Sequence, residues 1–148
     1  MIKIICVGKI KENYLREAIL EYKKRLSKYT KLEIIELEDE SKSNILELEK
    51  EKIMKYINPK DYIITLEIEG KELTSIELAN KISNIFITNS NITFIIGGSY
   101  GLHDEIKKIS NLSLSFSKLT FPHQLFRVML LEQIYRAFKI NNNETYHK

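Results

Sequence analysis

Two spacings of apolar residues alternate along this chain. Ile2-Lys3-Ile4-Ile5-Cys6-Val7 is a short apolar run closed by Gly8, the pattern of a buried strand. Leu15, Ala18, Ile19, Tyr22 and Leu26 then recur three and four apart. That spacing predicts a helix from about Glu12 to Lys28, with Arg16, Lys23, Lys24 and Lys28 on its polar face. A second strand is expected over Lys31 to Leu37, around β-branched Ile34 and Ile35. The acidic segment from Asp39 to Asn44 has no glycine to fix a tight turn and reads as a mobile loop. A helix follows and is stopped near Ile57 by Asn58-Pro59. A third strand is expected over Tyr62 to Ile68. Thr74 with Glu77 is a capping-box pair opening a helix from Ser75 to about Ile85. The pattern continues with a strand Ile92 to Ile96, a short helix Asp104 to Ile109 and a strand Leu112 to Phe116. The last helix is expected to start near Phe121, with Thr120 as N-cap and Pro122 in its first turn, and to run to about Phe138.

Strand and helix thus alternate through the whole length, which predicts an α/β fold: a mostly parallel sheet with helices on both faces. No repeat, low-complexity tract or Pro/Gly linker interrupts it, so residues 1–148 read as one domain. In such a sheet, ligands bind beyond the carboxyl ends of the strands. Three ends carry suitable loops: Leu66-Glu67-Ile68-Glu69-Gly70, Gly97-Gly98-Ser99-Tyr100-Gly101, and Phe116 to Phe121. The last helix is apolar nearly all round, from Leu125 to Phe138, which predicts burial on more than one side. In a domain of this size, the second side is expected to meet another copy of the chain.

Composition narrows the chemistry. A single cysteine, Cys6, sits in an apolar strand and reads as a small buried hydrophobe in a reducing cytoplasm. No apolar run approaches bilayer length, so no membrane is expected. Bases dominate from Lys3 to Lys31 and from Ser117 to Lys148, acids from Glu33 to Glu51. Basic surface at both ends suits a polyanion such as RNA, or simply solvates two helices. The glycine turn is Gly-Gly-Ser-Tyr-Gly on a late strand, which argues against a dinucleotide fold, and no P-loop is present. His103, His123 and His147 are dispersed without Cys pairs, so no metal is expected. Arg127, near the start of the last helix, is a ligand candidate. The tail Asn141-Asn142-Asn143-Glu144-Thr145-Tyr146-His147-Lys148 is either a frayed terminus or a functional one, because Tyr and His can donate or accept protons.

Taken together, several motifs carry a family resemblance. They are Phe94-Ile95-Ile96-Gly97-Gly98-Ser99-Tyr100-Gly101-Leu102, Leu112-Ser113-Leu114-Ser115, Leu119-Thr120-Phe121-Pro122-His123-Gln124-Leu125-Phe126-Arg127-Val128, Leu131-Glu132-Gln133-Ile134-Tyr135-Arg136-Ala137, and the Asn-rich end closing on Tyr146-His147. With the Leu-x-x-x-Gly-Lys at Leu66 to Lys71, they resemble the ribosomal RNA large-subunit methyltransferase H family of the SPOUT superfamily, over the whole length. The resemblance implies a deep trefoil knot near the C-terminus, a homodimer, and methyl transfer from S-adenosylmethionine to N3 of a pseudouridine in 23S ribosomal RNA within the ribosome. By motif position it implies cofactor binding by Leu66, Gly97, Phe116, Ser117, Lys118, Leu119, Thr120 and Phe121. Catalytic roles are expected for His147 first, Tyr146 second and Arg127, with His123 as an alternative proton acceptor. Lys148 stands where the family often has Arg. The other reading is a non-catalytic ribosome- or RNA-binding dimer.

Overall fold

The computed structural model describes residues 1–41 and 43–148; Lys42, in the expected mobile loop, lies outside the described residues. Five strands and five helices alternate: β1 (Ile2–Val7), α1 (Asn13–Leu26), β2 (Leu32–Leu37), α2 (Ile45–Met54), β3 (Tyr62–Glu72), α3 (Ser75–Thr88), β4 (Ile92–Ile96), α4 (Asp104–Ile109), β5 (Leu112–Ser115) and α5 (His123–Asn141). The strands form one sheet in the order β2-β1-β4-β3-β5. Every pairing in it is parallel.

The two-residue period of the strands sorts the core into two layers. Ile2, Ile4, Cys6, Ile64, Phe94, Ile96 and Leu114 pack against Leu26 of α1, Ile82 of α3 and Leu130, Leu131 and Ile134 of α5. Ile5, Val7, Leu37, Ile63 and Ile95 point the other way, against Ile53 of α2 and Ile106 of α4. Crossovers β1→β2 and β3→β4 step toward the β2 edge and carry α1 and α3 on the first face. Crossovers β2→β3 and β4→β5 step the opposite way and carry α2 and α4 on the second. This is the arrangement a single crossover hand demands.

Two departures from the sequence expectation bear on the site. First, β3 runs on to Glu72 and meets β5 twice: Leu66 and Lys71 both oppose Leu114, with residues 67–70 looped out of the ladder. Gly70 permits this crossing, since a Cβ there would lie 2.8 Å from the Ser113 carbonyl oxygen. Second, α5 begins at His123 with Pro122 as N-cap (ψ 132°), not at Phe121 with Thr120. The proline ring keeps Phe121 out of the helical region, and the Phe126 N–H donates to the Pro122 carbonyl at 2.8 Å. The expected burial of α5 on more than one side is met, and within its own chain the cover comes from the sheet, α1 and α3. The capping box forms as expected, with Thr74 accepting from the Glu77 N–H at 3.1 Å and Glu77 accepting from the Thr74 N–H at 2.9 Å. Among the described residues, no helix is long and apolar enough to cross a membrane.

Candidate active site

The three strand ends chosen from the sequence converge on one cavity of about 470 Å³. Leu66, Gly97, Phe116, Ser117, Leu119, Thr120 and Phe121 all line it; Lys118 does not. The cavity sits beyond the carboxyl ends of β3, β4 and β5. Its floor is glycine backbone. A Cβ on Gly97 would come within 2.5 Å of the Gly101 oxygen, so only glycine lets the turn close. Gly101 itself adopts φ +78°, and its N–H donates to the Gly98 carbonyl at 3.1 Å.

One wall is aromatic. Phe126, on the first turn of α5, holds Phe116 at 4.9 Å and stacks on Phe121 at 6.1 Å between centroids. The loop between these two phenylalanines is a tight turn in which the Leu119 N–H donates to Ser117 Oγ at 3.0 Å. It leaves Leu119 with 70% of its surface exposed at the mouth. The opposite wall is acidic. Glu67, in the looped-out part of β3, accepts from the hydroxyls of Thr65 and Ser113, both at 2.6 Å. Lys107 of α4 lies 3.9 Å from its other oxygen. Sequence reasoning did not single out Glu67, Lys107 or Phe126. The motifs contain two of them, Glu67 within Leu66 to Lys71 and Phe126 within Leu119 to Val128, and none contains Lys107. His123 lies at the rim, 3.5 Å from Ser99 Oγ.

Arg127 is placed elsewhere, contrary to expectation. It is buried with 1% exposure, and it lines neither this cavity nor its neighbour. Its Nη1 donates to Glu36 at 2.6 Å and its Nη2 to the Gly8 carbonyl at 2.9 Å. The guanidinium thus ties α5 to the ends of β1 and β2, a structural bond rather than a ligand contact.

The tail is docked, not frayed. Tyr146 packs edge-on against Tyr135 at 5.0 Å and donates its hydroxyl to Glu132 at 3.1 Å. Arg136 reaches the same carboxylate at 2.5 Å, lies 4.8 Å over the Tyr146 ring, and contacts His147 Nδ1 at 3.1 Å. A guanidinium can only donate, so His147 accepts at Nδ1 and carries its proton on Nε2. Burial, then the bond to Glu132, pushes the Tyr146 phenol up to about 12. The raised phenol leaves Tyr146 a hydrogen-bond donor at neutral pH, and the Arg136 contact engages Nδ1 of His147. Arg136 is the member of this cluster to which the sequence assigned no role of its own.

A second cavity, of about 460 Å³, lies between the tail cluster and the first. Glu132 lines it, and Leu114, Ser115, Phe116 and Phe121 form a wall common to both.

Comparison with known proteins agrees with this geometry. Residues 1–147 match the family described as "Predicted SPOUT methyltransferase". A Methanococcus maripaludis protein is 58% identical over 99% of both chains. Proteins named ribosomal RNA large subunit methyltransferase H from Clostridium botulinum (55% identical, 99% of each chain) and Caldicellulosiruptor saccharolyticus (50% identical, 100% of each chain) are similar over their full length. Among solved structures, a methylase family protein from Haemophilus influenzae superposes with a TM-score of 0.56 at 17% identity, over 99% of this chain and 70% of that one. A transfer-RNA methyltransferase from Aquifex aeolicus gives 0.52 at 16%, over 91% and 69%; at these identities the likeness is one of fold. A strand-end cavity built on a glycine turn and an aromatic loop, in a chain matched from end to end, belongs to the SPOUT methyltransferase family.

Proposed function

We propose that this single-domain chain is a cytoplasmic, S-adenosylmethionine-dependent methyltransferase acting on N3 of a pseudouridine in 23S ribosomal RNA of the ribosome, as a homodimer. The observation that carries the reading is the one cavity gathering Leu66, Gly97 and the 116–121 loop, three segments far apart in sequence. The names of the close relatives supply the RNA class.

The cavity fits the methyl donor. Close backbone approach at Gly97, together with the flat Phe116 and Phe121 walls, suits an adenine ring. Glu67 and Glu69 at the other end suit a positively charged sulfonium. When bound, the donor supplies a methyl whose bond to sulfur breaks as the bond to N3 forms; the N3 proton is released. The chain's part is positioning: Phe126 sets the aromatic loop, and Gly97 to Gly101 sets the floor. The reading includes a trefoil knot near the C-terminus. Lys11, Lys23, Lys24, Lys28 and Lys31 are exposed and supply a cationic face for RNA.

In one protomer the tail bonds to α5 and lines neither cavity. The dimer reading brings it toward the cofactor of the other protomer, so that Arg136, Tyr146 and His147 meet RNA there. Removing residues 146–148 is expected to leave S-adenosylmethionine titrations unchanged while abolishing methyl transfer to ribosomes from a strain lacking the modification. Equal loss of both would refute this division. Ribosome binding with no heat on titration would leave the non-catalytic dimer.

A further inference from the structure

The exit of α5 is built as a latch. Asn143 adopts φ +56°, the only non-glycine residue in the left-handed region among those described. The Glu144 N–H donates to the Lys139 carbonyl at 3.0 Å and the Asn143 N–H to the Ile140 carbonyl at 3.1 Å. These two bonds around a left-handed residue are a Schellman motif, with asparagine in the place glycine usually takes. The turn fixes the direction in which the chain leaves the helix.

Side chains then clamp the next residue. Glu144 accepts from Tyr29 Oη at 2.8 Å and from Lys139 Nζ at 2.9 Å. Tyr29 lies beyond the end of α1, and its ring stacks on Phe138 at 5.8 Å, with the Lys139 ammonium 5.8 Å from its centroid. The clamp holds the Glu144 carboxyl below its ordinary range, chiefly through Lys139. Two residues further on, Tyr146 and His147 reach Glu132 and Arg136. A frayed terminus needs none of these bonds.

We infer that Asn143, Glu144, Tyr29 and Lys139 are positioning residues for methyl transfer: they pre-set the tail so that Arg136, Tyr146 and His147 arrive at the RNA as one rigid group. This rests on the proposed role of the tail. None of the four lines the cavity assigned to the methyl donor, so none is expected to touch it there. A β-branched residue resists the left-handed region, whereas glycine accepts it freely.

The test uses the full-length chain, with ribosomes lacking the methyl group as substrate. Asn143→Val is expected to lower kcat about tenfold or more while S-adenosylmethionine affinity, read by calorimetry, stays within about twofold. Asn143→Gly should restore most of kcat, because it keeps the turn and deletes only the side chain. Glu144→Gln, a surface change that leaves the fold intact, should lower kcat less than Asn143→Val, again without changing cofactor affinity. A wild-type kcat in both Asn143→Val and Glu144→Gln would overturn the latch. So would an Asn143→Gly variant as slow as Asn143→Val. The 146–148 truncation separates the two levels: full activity there overturns the tail reading and the latch with it, while loss there beside wild-type rates in the latch variants overturns the latch alone.

Discussion

At the carboxyl edge of the sheet, the ends of β1 and β2 are filled, while the ends of β3, β4 and β5 are hollow. On the filled side, Arg127 crosses from α5 to Glu36 and the Gly8 carbonyl. Asp39 also presses close there, within 3.1 Å of a Cβ built on Gly8. Glu49 is buried against Gly98, on the back of the glycine turn. On the hollow side, residues 97–101 and the looped-out part of β3 leave about 470 Å³ between them. One sheet edge is thus plugged by charged side chains where it is closed, and bounded by glycine backbone, aromatic rings and the Glu67 carboxylate where it is open. Parallel-strand geometry makes the whole edge a potential site; the side chains decide which half remains one.

The sharpest way to break this contrast is to fill the hollow half. Gly97→Val places branched carbon where even a Cβ meets the Gly101 carbonyl at 2.5 Å. The turn must open, at a cost of about 3 kcal/mol, which is more than a hundredfold in S-adenosylmethionine affinity by calorimetry. The filled half is tested by Arg127→Met, which keeps much of the volume but strands the Gly8 carbonyl; Glu36, partly exposed, can turn to water. A loss of about 2 kcal/mol, roughly 4–8 °C in thermal midpoint, is expected, with cofactor affinity retained in the folded protein. A loss of affinity at unchanged midpoint would return Arg127 to the ligand role.

Glu49→Gln should give the smallest change, of opposite sign. Burial, then nearby Asp39, raises the Glu49 carboxyl above its ordinary 4.5. Between the unfolded and the raised folded value, the native state holds the proton more tightly, so wild-type stability falls as pH rises through that window. The amide does not ionise. Its advantage should be absent near pH 4 and grow toward pH 7, read as a widening difference in thermal midpoint. A midpoint difference independent of pH would show that the carboxylate is neutralised another way.

The strand and helix order was legible in the sequence because each element carries its own period, and the cavity because its three loops follow strands directly. Features made by distant partners were not legible. Arg127 finds Glu36 across 91 positions and Gly8 across 119, and no local pattern encodes either meeting. The apolar girth of α5 was read correctly as burial on several sides, yet periodicity cannot say whether the cover comes from α1 and α3 or from another chain. Nor does the Asn141-Asn142-Asn143 triplet reveal which residue turns left-handed; the carbonyls of Lys139 and Ile140 decide that. The start of α5 could have been placed from the rule for residues before proline, which outranks the N-cap preference of Thr120.

The two outermost strands have a further consequence, for how copies of this chain can meet. A free strand edge is a template for other strands, and parallel sheets without protection there aggregate. Here β5 offers only Leu112–Ser115, and β2 bears exposed Glu33 and Glu36, with exposed Glu38 just after its end. Both edges repel strand addition, one by brevity and one by negative charge. Any meeting of two copies is therefore steered onto the helical faces, where side chains rather than backbone choose the partner, and growth of sheets from the strand edges is disfavoured.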